Sequence, residues 1–457
     1  MSFEKVIKKL ERIVDPGDLL INEEDLLCYT YDANVRGILP WAVVFPRSTE
    51  QVREILLLAN EFPFFVFPRG AGTGMTGGSV PTAGGVVLCM TKMKAIKEIS
   101  PEDGIAIVEA GVLNGELQQE AKKHNLFFPP DPSSYLYSTI GGNVAENAGG
   151  ARALRYGVTR DYVLGLEVVT GKGEILRTGR RTWKGVVGYD LTGLFVGSEG
   201  TLGVITEVTV KLLPIPPEWG TLVGFFPSLS EAFQAVWSLF SKGIMPSSLE
   251  FMDQFSLKCA EKFLQAEFPP SEALLILELE GIGIGLGEFL KRIKEILLRS
   301  GAREVEEALS FEESQRIWRI RRCLSQAAYA LGPVKVNEDI VVPRSKIAEA
   351  VRGAHQIAEK YGINVLCFGH IGDGNIHVNF MIGPSEEERA KVHKAVEELF
   401  DLTLSLGGTL SGEHGVGITK LPYIGKELAK EVIMVMKDIK KIFDPKGILN
   451  PNKAFLP

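Results

Sequence analysis

Three of the six histidines of this 457-residue chain fall in two glycine-rich stretches. In the first, Asn364-Val-Leu-Cys-Phe-Gly-His-Ile-Gly-Asp-Gly-Asn-Ile-His-Val-Asn-Phe380, His370 and His377 flank Gly372-Asp-Gly-Asn375. That composition marks a turn between antiparallel strands. Cross-strand partners have Cβ atoms about 5 Å apart, close enough for two imidazoles to share one ion. The second stretch, Ser411-Gly-Glu-His-Gly-Val-Gly417, holds Glu413 and His414 between glycines. Two histidines and one carboxylate make a metal set that leaves a coordination position open for substrate. The expected ligands are His370, His377 and Glu413 around a divalent ion. Zinc suits these donors, and so do manganese and iron. Against this stands the ordinary reading that a histidine beside a turn only hydrogen-bonds at the surface and that a loop glutamate is solvated.

A second constellation lies in Arg316-Ile-Trp-Arg-Ile-Arg-Arg-Cys-Leu-Ser325. On a helix Arg321 and Ser325 stand at i and i+4, on one face, and Lys335 follows on the next expected strand. A guanidinium fork matches a carboxylate through two hydrogen bonds, and a lysine adds a point charge. For Arg316, Arg319 and Arg322 a solvated cationic face suffices. Arg321, Ser325 and Lys335 are the candidates for holding an acidic substrate. Arg36 is a weaker one for the substrate's far end.

A third stretch, Pro68-Arg-Gly-Ala-Gly-Thr-Gly-Met-Thr-Gly-Gly-Ser-Val-Pro81, lies between two apolar segments of strand length, Phe62–Phe67 and Gly84–Leu88. Glycines let successive N–H groups turn towards an anion with no Cβ in the way. A pyrophosphate is the natural guest. Gly72-Thr-Gly-Met-Thr-Gly77 also fits G-x-G-x-x-G, but that fingerprint needs a helix directly after it. Pro81, Gly84 and Gly85 leave no room for one, so the loop is a phosphate cradle of another kind. Further on, Pro129-Pro-Asp-Pro-Ser-Ser134 is rigid and turn-rich, and Thr139-Ile-Gly-Gly-Asn-Val-Ala-Glu-Asn-Ala-Gly-Gly150 is almost all small or polar, suited to lie flat on a large planar ligand. Gly197-Ser-Glu-Gly-Thr-Leu-Gly203 leads into an alternating strand.

These four motifs, in this order, resemble the FAD-binding domain of the vanillyl-alcohol-oxidase-type (PCMH-type) flavoproteins. Within them the chain is similar to the group of the glycolate oxidase FAD subunit, D-lactate dehydrogenase and D-2-hydroxyglutarate dehydrogenase, from about Tyr29 onwards. The resemblance implies that Arg69, Gly70, Ala71, Gly72, Thr73, Gly74, Gly77 and Gly78 hold the FAD pyrophosphate. It places Pro132, Ser134, Gly141, Gly142, Asn143, Gly149 and Gly150 along the cofactor, with Glu199, Gly200, Gly203, Val204 and Ile205. It brings Asn450, in the turn-rich tail, back to the flavin. Some relatives attach FAD through a histidine beside the first loop. This loop has none, so the FAD is expected without a covalent bond. The resemblance also makes His370, His377 and Glu413 the metal ligands and His414 the catalytic base. It gives Arg321 and Lys335 the substrate carboxylate, while some relatives carry threonine where Ser325 stands.

The implied activity is oxidation of a D-2-hydroxy acid or glycolate to the 2-oxo acid. Electrons then pass to an external acceptor: an electron-transfer flavoprotein, an iron–sulfur subunit, a quinone or oxygen. The competing classes are a non-redox alkyl transferase on the same fold and a flavin-bearing accessory subunit with no active site of its own.

Elements must position these groups. Hydrophobic residues at 45% and charged residues at 23% describe a globular protein of more than one domain. A net charge of −7 without a basic stripe excludes a nucleic-acid surface. No signal peptide or membrane-spanning run is evident. Five scattered cysteines without C-x-x-C suggest a reducing, cytoplasmic setting and exclude an iron–sulfur cluster held by this chain alone. Membrane association through a partner, and homodimerisation, stay open. The fold class is α+β. A two-part FAD-binding domain (1–215) is followed, after Pro214-Ile-Pro-Pro217, by a cap with an antiparallel sheet (216–408), and 409–457 returns to the flavin.

Overall fold

The computed structural model describes residues 3–281 and 285–454. The outer ends of the expected first and third segments lie outside them. The chain divides into two compact units, one of 1–150, 157–215 and 413–457, the other of 151–156 and 216–412.

In the first unit one sheet has the order Leu19–Leu20, Ala42–Val44, Gly85–Cys89, Phe65–Arg69. Ala42–Val44 and Phe65–Arg69 both run parallel to the central strand Gly85–Cys89. Its residues are all buried, as a parallel strand covered on both faces requires. Val86 and Leu88 pack with Ile55 and Leu56 of the helix Thr49–Glu61, and Val87 packs with Val43 and Phe67 on the other side. Ser48 caps that helix, its hydroxyl accepting from Gln51 N at 3.2 Å. The connection 70–84 between two parallel strands contains no helix. The other large sheet is antiparallel, ordered Ile96–Ser100, Ile105–Glu109, Gly203–Lys211, Val163–Thr170, Ile175–Gly179.

The second unit is built on a seven-stranded, wholly antiparallel sheet. Its order is Glu304–Ala308, Glu218–Phe226, Ala273–Gly281, Ser248–Asp253, Asn364–His370, Asn375–Ile382, Val334–Val341. Helices Gln254–Leu264 and Phe311–Arg322 share a core with Met252, Ile276, Leu366, Phe368 and Met381 of the sheet. Residues 409–412 still belong here, because Thr409 exchanges backbone hydrogen bonds with Val341 and Gly412 N donates to Asp339. The segment returning to the first unit therefore starts at Glu413, not at 409.

Candidate functional site

The histidine pair stands on the core-facing side of the seven-stranded sheet. The hairpin register pairs His370 with Asn375 and His377 with Phe368, so the two histidines are diagonal neighbours rather than direct partners. Diagonal residues share a face and remain within reach of long side chains. Their rings lie 5.3 Å apart, edge to face.

Each histidine is backed by a carboxylate from a neighbouring strand. Glu250 is directly opposite His370 and its Oε1 meets His370 Nδ1. Asp339 is directly opposite His377, with Oδ1 3.8 Å from His377 Nδ1. A carboxylate hydrogen-bonded to one ring nitrogen fixes the tautomer and leaves the other, Nε2, for a ligand, as Glu250 does for His370; at 3.8 Å Asp339 is beyond hydrogen-bond reach of His377 Nδ1. Asp339 is itself held, accepting from Asn375 Nδ2 at 2.5 Å and from Gly412 N at 2.9 Å. Burial works to raise the pKa of Glu250, but the charges and hydrogen bonds of His370 and Arg321 outweigh it and bring it down to about 2.

Arg321 donates from Nε to Glu250 Oε2 at 2.6 Å, and its guanidinium lies 4.5 Å from the Phe368 ring centre. Arg321 lies in the last turn of the helix Phe311–Arg322, while Ser325 sits on the next short helix, Leu324–Ala327. Lys335 Nζ donates to Ser325 Oγ at 2.8 Å. Burial lowers the pKa of Lys335. Arg321 is thus joined to the histidine row, and Ser325 to Lys335. Arg36 is exposed, in the first unit.

Glu413 and His414 open the returning segment of the first unit. The Glu413 carboxylate lies 2.8 Å from where a Cβ on Gly149 would stand. Thr76 Oγ1 donates to His414 O at 3.0 Å, which ties this segment to the glycine loop.

That loop is pinned from several directions. Gly77 has φ +86°, a conformation suited to glycine, and its N–H donates to Asp32 Oδ2 at 2.7 Å. Gly70 packs so closely on Thr139 that a Cβ would strike the hydroxyl. Arg69 is buried with its guanidinium turned to Tyr31 O at 2.8 Å, so it braces the loop. Asn450 Nδ2 donates to Gly78 O and Glu199 O, and Lys453 Nζ donates to Gly78 O and Asn450 Oδ1. The Glu199 carboxylate accepts from Val416 N and Gly417 N at 2.8 and 2.7 Å.

Ala71, Gly72, Thr73 and Gly74 are half-buried or exposed along this loop, and Gly78 closes it, buried. The segment 139–150 contains a short helix, Ile140–Glu146, capped by Thr139 and carrying Gly141, Gly142 and Asn143. Gly150 packs against Asp131, drawing the 129–134 turn with Pro132 and Ser134 towards Gly149. Gly200 leads to Gly203, which opens the strand containing Val204 and Ile205, both buried.

The cradle fits a polar ligand. The buried atoms Asn143 Nδ2, Ser138 Oγ, Ser198 Oγ and Glu146 Oε2 have no protein partner. Buried polar groups are normally hydrogen-bonded, so a cluster of orphans beside a glycine loop suits an extended cofactor with many acceptors and donors. Beside them Glu146 is pushed well above the carboxylate range, first by burial and then by Glu199. Lys453 is pulled down to about 7 by burial, against the opposing charges of Glu199, Glu146 and Asp32.

Sequence reasoning missed Glu250, Asp339, Asp32 and Lys453. For Glu250 and Asp339 a signal existed: each is an acid inside an expected strand. No local feature distinguishes Lys453 or Asp32.

Comparison with known proteins bears on the family and the fold. A family profile described as FAD linked oxidases, C-terminal domain, matches residues 215–454, and one described as FAD binding domain matches 40–179. The chain is 42% identical to glycolate oxidase subunit GlcD of Bacillus subtilis (strain 168), over all of this chain and 97% of that protein. It is 36% identical to D-lactate dehydrogenase of Archaeoglobus fulgidus, over 99% of each. It is 33% identical to D-2-hydroxyglutarate dehydrogenase of Stutzerimonas stutzeri, over all of both chains. Among solved structures, p-cresol methylhydroxylase with substrate bound superposes with a TM-score of 0.83 at 19% identity, covering 99% of this chain and 96% of that one. The expected fold class is therefore the one observed: an FAD-binding domain of the p-cresol methylhydroxylase kind with a second, antiparallel-sheet domain. With identities above 30% over nearly the whole of these relatives, the chain belongs to the family of FAD-linked oxidases.

Proposed function

We propose that this protein is an FAD-dependent 2-hydroxyacid dehydrogenase that oxidises a D-2-hydroxy acid or glycolate, D-lactate and glycolate foremost, to the 2-oxo acid. The observation that carries the reading is the carboxylate-backed histidine pair joined through Glu250 to Arg321 in one unit. It combines a site for a divalent ion with a cation for an acid substrate. Arg321 holds the substrate carboxylate in this reading. Lys335 and Ser325 act with it, the lysine charge and the hydroxyl adding donors. His370, His377 and Glu413 hold the ion, zinc by donor type, with manganese or iron as alternatives. Glu250 keeps Nε2 as the ligating atom of His370. His414 accepts the proton of the 2-hydroxyl at a ring nitrogen. The glycine loop, the 139–150 segment, the 197–205 stretch and Asn450 hold FAD without a covalent bond. Bound FAD supplies the acceptor for the hydride from C2, and the bound ion lowers the pKa of the 2-hydroxyl.

The electrons leave to an external acceptor, an electron-transfer flavoprotein, an iron–sulfur subunit or a quinone. All five cysteines are unpaired, which supports a reducing, cytoplasmic compartment, with any membrane association made through a partner. Among the described residues no helix is long and apolar enough to cross a membrane.

The test is an anaerobic visible spectrum recorded while D-lactate, L-lactate, glycolate and D-2-hydroxyglutarate are added in turn. Bleaching of the flavin bands by a D-acid or glycolate is expected. A flavin that none of them reduces would overturn the reading in favour of a non-redox enzyme on this fold.

A further inference from the structure

The two strands that carry Glu250 and His370 meet again on the opposite face of the seven-stranded sheet. Side chains alternate along a strand, so Asp253, three residues after Glu250, and Cys367, three before His370, point away from the histidine pair. The register that pairs Met252 with Phe368 brings Asp253 level with Cys367, and Cys367 N donates to Asp253 Oδ2 at 2.8 Å. His355, on the helix Ile347–Tyr361, reaches the same oxygen, its Nε2 lying 2.8 Å from Asp253 Oδ2. Its ring is stacked on Phe255, 5.1 Å between centres.

Helix capping accounts for only part of this. Asp253 caps the helix Gln254–Leu264, and Oδ1 does that alone by accepting from Ser256 N at 2.8 Å. A carboxylate oxygen of Asp253, a ring nitrogen of His355 and the Cys367 sulfur all lie within 4.8 Å of one another, and among the described residues this is the one such group that contains a thiol. Cys367 uses its N–H on Asp253 and its C=O on Ser256, while its thiol has no hydrogen-bond partner among the described residues. Sulfur, imidazole nitrogen and carboxylate oxygen, from three separate elements, are the donor set of a thiophilic divalent ion. In tetrahedral zinc, bonds of about 2.0 Å to nitrogen and oxygen and about 2.3 Å to sulfur put the donors roughly 3.3–3.5 Å apart. His355, 26% exposed where the other two are buried, has the freedom to close the set, with water in the fourth position. Burial, and then the Asp253 charge, raise the Cys367 thiol well above its ordinary range, so its ionisation depends on the cation. On binding, the ion replaces the proton between His355 Nε2 and Asp253 Oδ2, that proton moves to Nδ1, and the thiol proton is released to solvent.

We infer that Asp253, His355 and Cys367 form a metal site of their own, for a zinc-class divalent ion, which staples the helix Ile347–Tyr361 to the back of the two strands bearing Glu250 and His370. It requires neither FAD nor the proposed activity. Magnesium and calcium, which take oxygen ligands, do not fit it.

Cadmium tests it in the full-length, FAD-loaded protein, because a cadmium–thiolate bond adds an ultraviolet charge-transfer band. The ion proposed on His370, His377 and Glu413 has no thiolate and adds nothing to that band. With the exposed Cys28 changed to serine in every sample, the band is expected to appear saturably, with the intensity of a single thiolate. Zinc is expected to displace it and magnesium to leave it. Cys367→Ser and His355→Ala should each abolish it while FAD absorbance and circular dichroism stay those of the parent. His355→Ala removes a partly exposed ring, so it decides the matter even where the buried Cys367→Ser fails to fold. The absence of a saturable band, a band that zinc cannot displace, or one that outlives either substitution would overturn the inference.

Discussion

Replacing Glu250 by glutamine tests whether the acid behind His370 sets the metal site. In the parent, Glu250 Oε1 faces His370 Nδ1 and Oε2 accepts from Arg321 Nε at 2.6 Å, so both carboxylate oxygens act as acceptors. Glutamine has the same shape but only one acceptor oxygen. Arg321 cannot lose its proton, so the amide oxygen goes to Arg321 and the NH2 turns to His370. Nδ1 must then accept, and the ring proton moves to Nε2, the nitrogen a metal would need. The loss expected from disturbing such a partner is about 10–100-fold in metal affinity, roughly 1.4–2.8 kcal/mol. Glu250 is 1% exposed, so solvent does not relieve the mismatch. The assay is a zinc titration with a competing chelator on parent and variant, with FAD absorbance as the internal control. FAD content should not change, because Glu250 belongs to the other unit. Metal affinity within twofold of the parent, with the fold intact, would refute the tautomer argument and with it His370 as a ligand.

Chelation followed by gel filtration should leave a yellow protein whose flavin is no longer reduced by the hydroxy acid, with reduction restored by zinc, manganese or ferrous ion; stopped-flow absorbance reads all three states. His414→Asn should lower the rate of flavin reduction by about 100-fold or more, the share a positioned base contributes. Lys335→Met should raise KM for the acid and lower kcat/KM by about tenfold, one charge-assisted hydrogen bond of roughly 1.5 kcal/mol, while leaving metal and FAD content unchanged. Asp18 is buried between Arg47 and Lys92, and the hydrogen bond from Arg47, with Lys92, holds its pKa below the ordinary 3.8. A depressed carboxylate pKa gives stability that is present above the unfolded value and lost as pH falls through the folded one. Asp18→Asn should therefore cost about 1 kcal/mol at pH 7, the partners being partly exposed, and the gap between the two melting curves should narrow as the pH falls below the ordinary 3.8 towards the lower folded value.

Much of this protein is legible because its signals are local. The loop at Gly70–Gly78 announces itself by composition, and the absence of a helix after it follows from Pro81, Gly84 and Gly85. The hairpin at Gly372 is equally plain. Its register is not: the turn closes with His370 opposite Asn375, which sets His377 two pairs further along, opposite Phe368. The helix Ile140–Glu146 has two glycines in its first turn and would not form on propensity alone. It is held by tertiary fit, with Ile140 and Val144 buried and Gly141 pressed against Ala110, too close for any side chain. Glu250 and His370 meet across 120 residues of sequence, so nothing near either one names its partner.

The bracing of the glycine loop also sets an order of events during synthesis. Lys453 bonds to Gly78 across 375 positions, and Asn450 does so across 372. The loop leaves the ribosome 372 residues or more before two of the side chains that fix its shape. Chains generally fold as units during translation. The second unit, with all seven of its sheet strands between Glu218 and Ile382, is synthesised entirely before those residues. The histidine hairpin can therefore be in place while the glycine loop still lacks two of its braces. Fixing the loop then follows formation of the sheet, and a chain cut short before Asn450 would keep its antiparallel sheet, lose both braces and, on the proposed function, hold FAD less firmly.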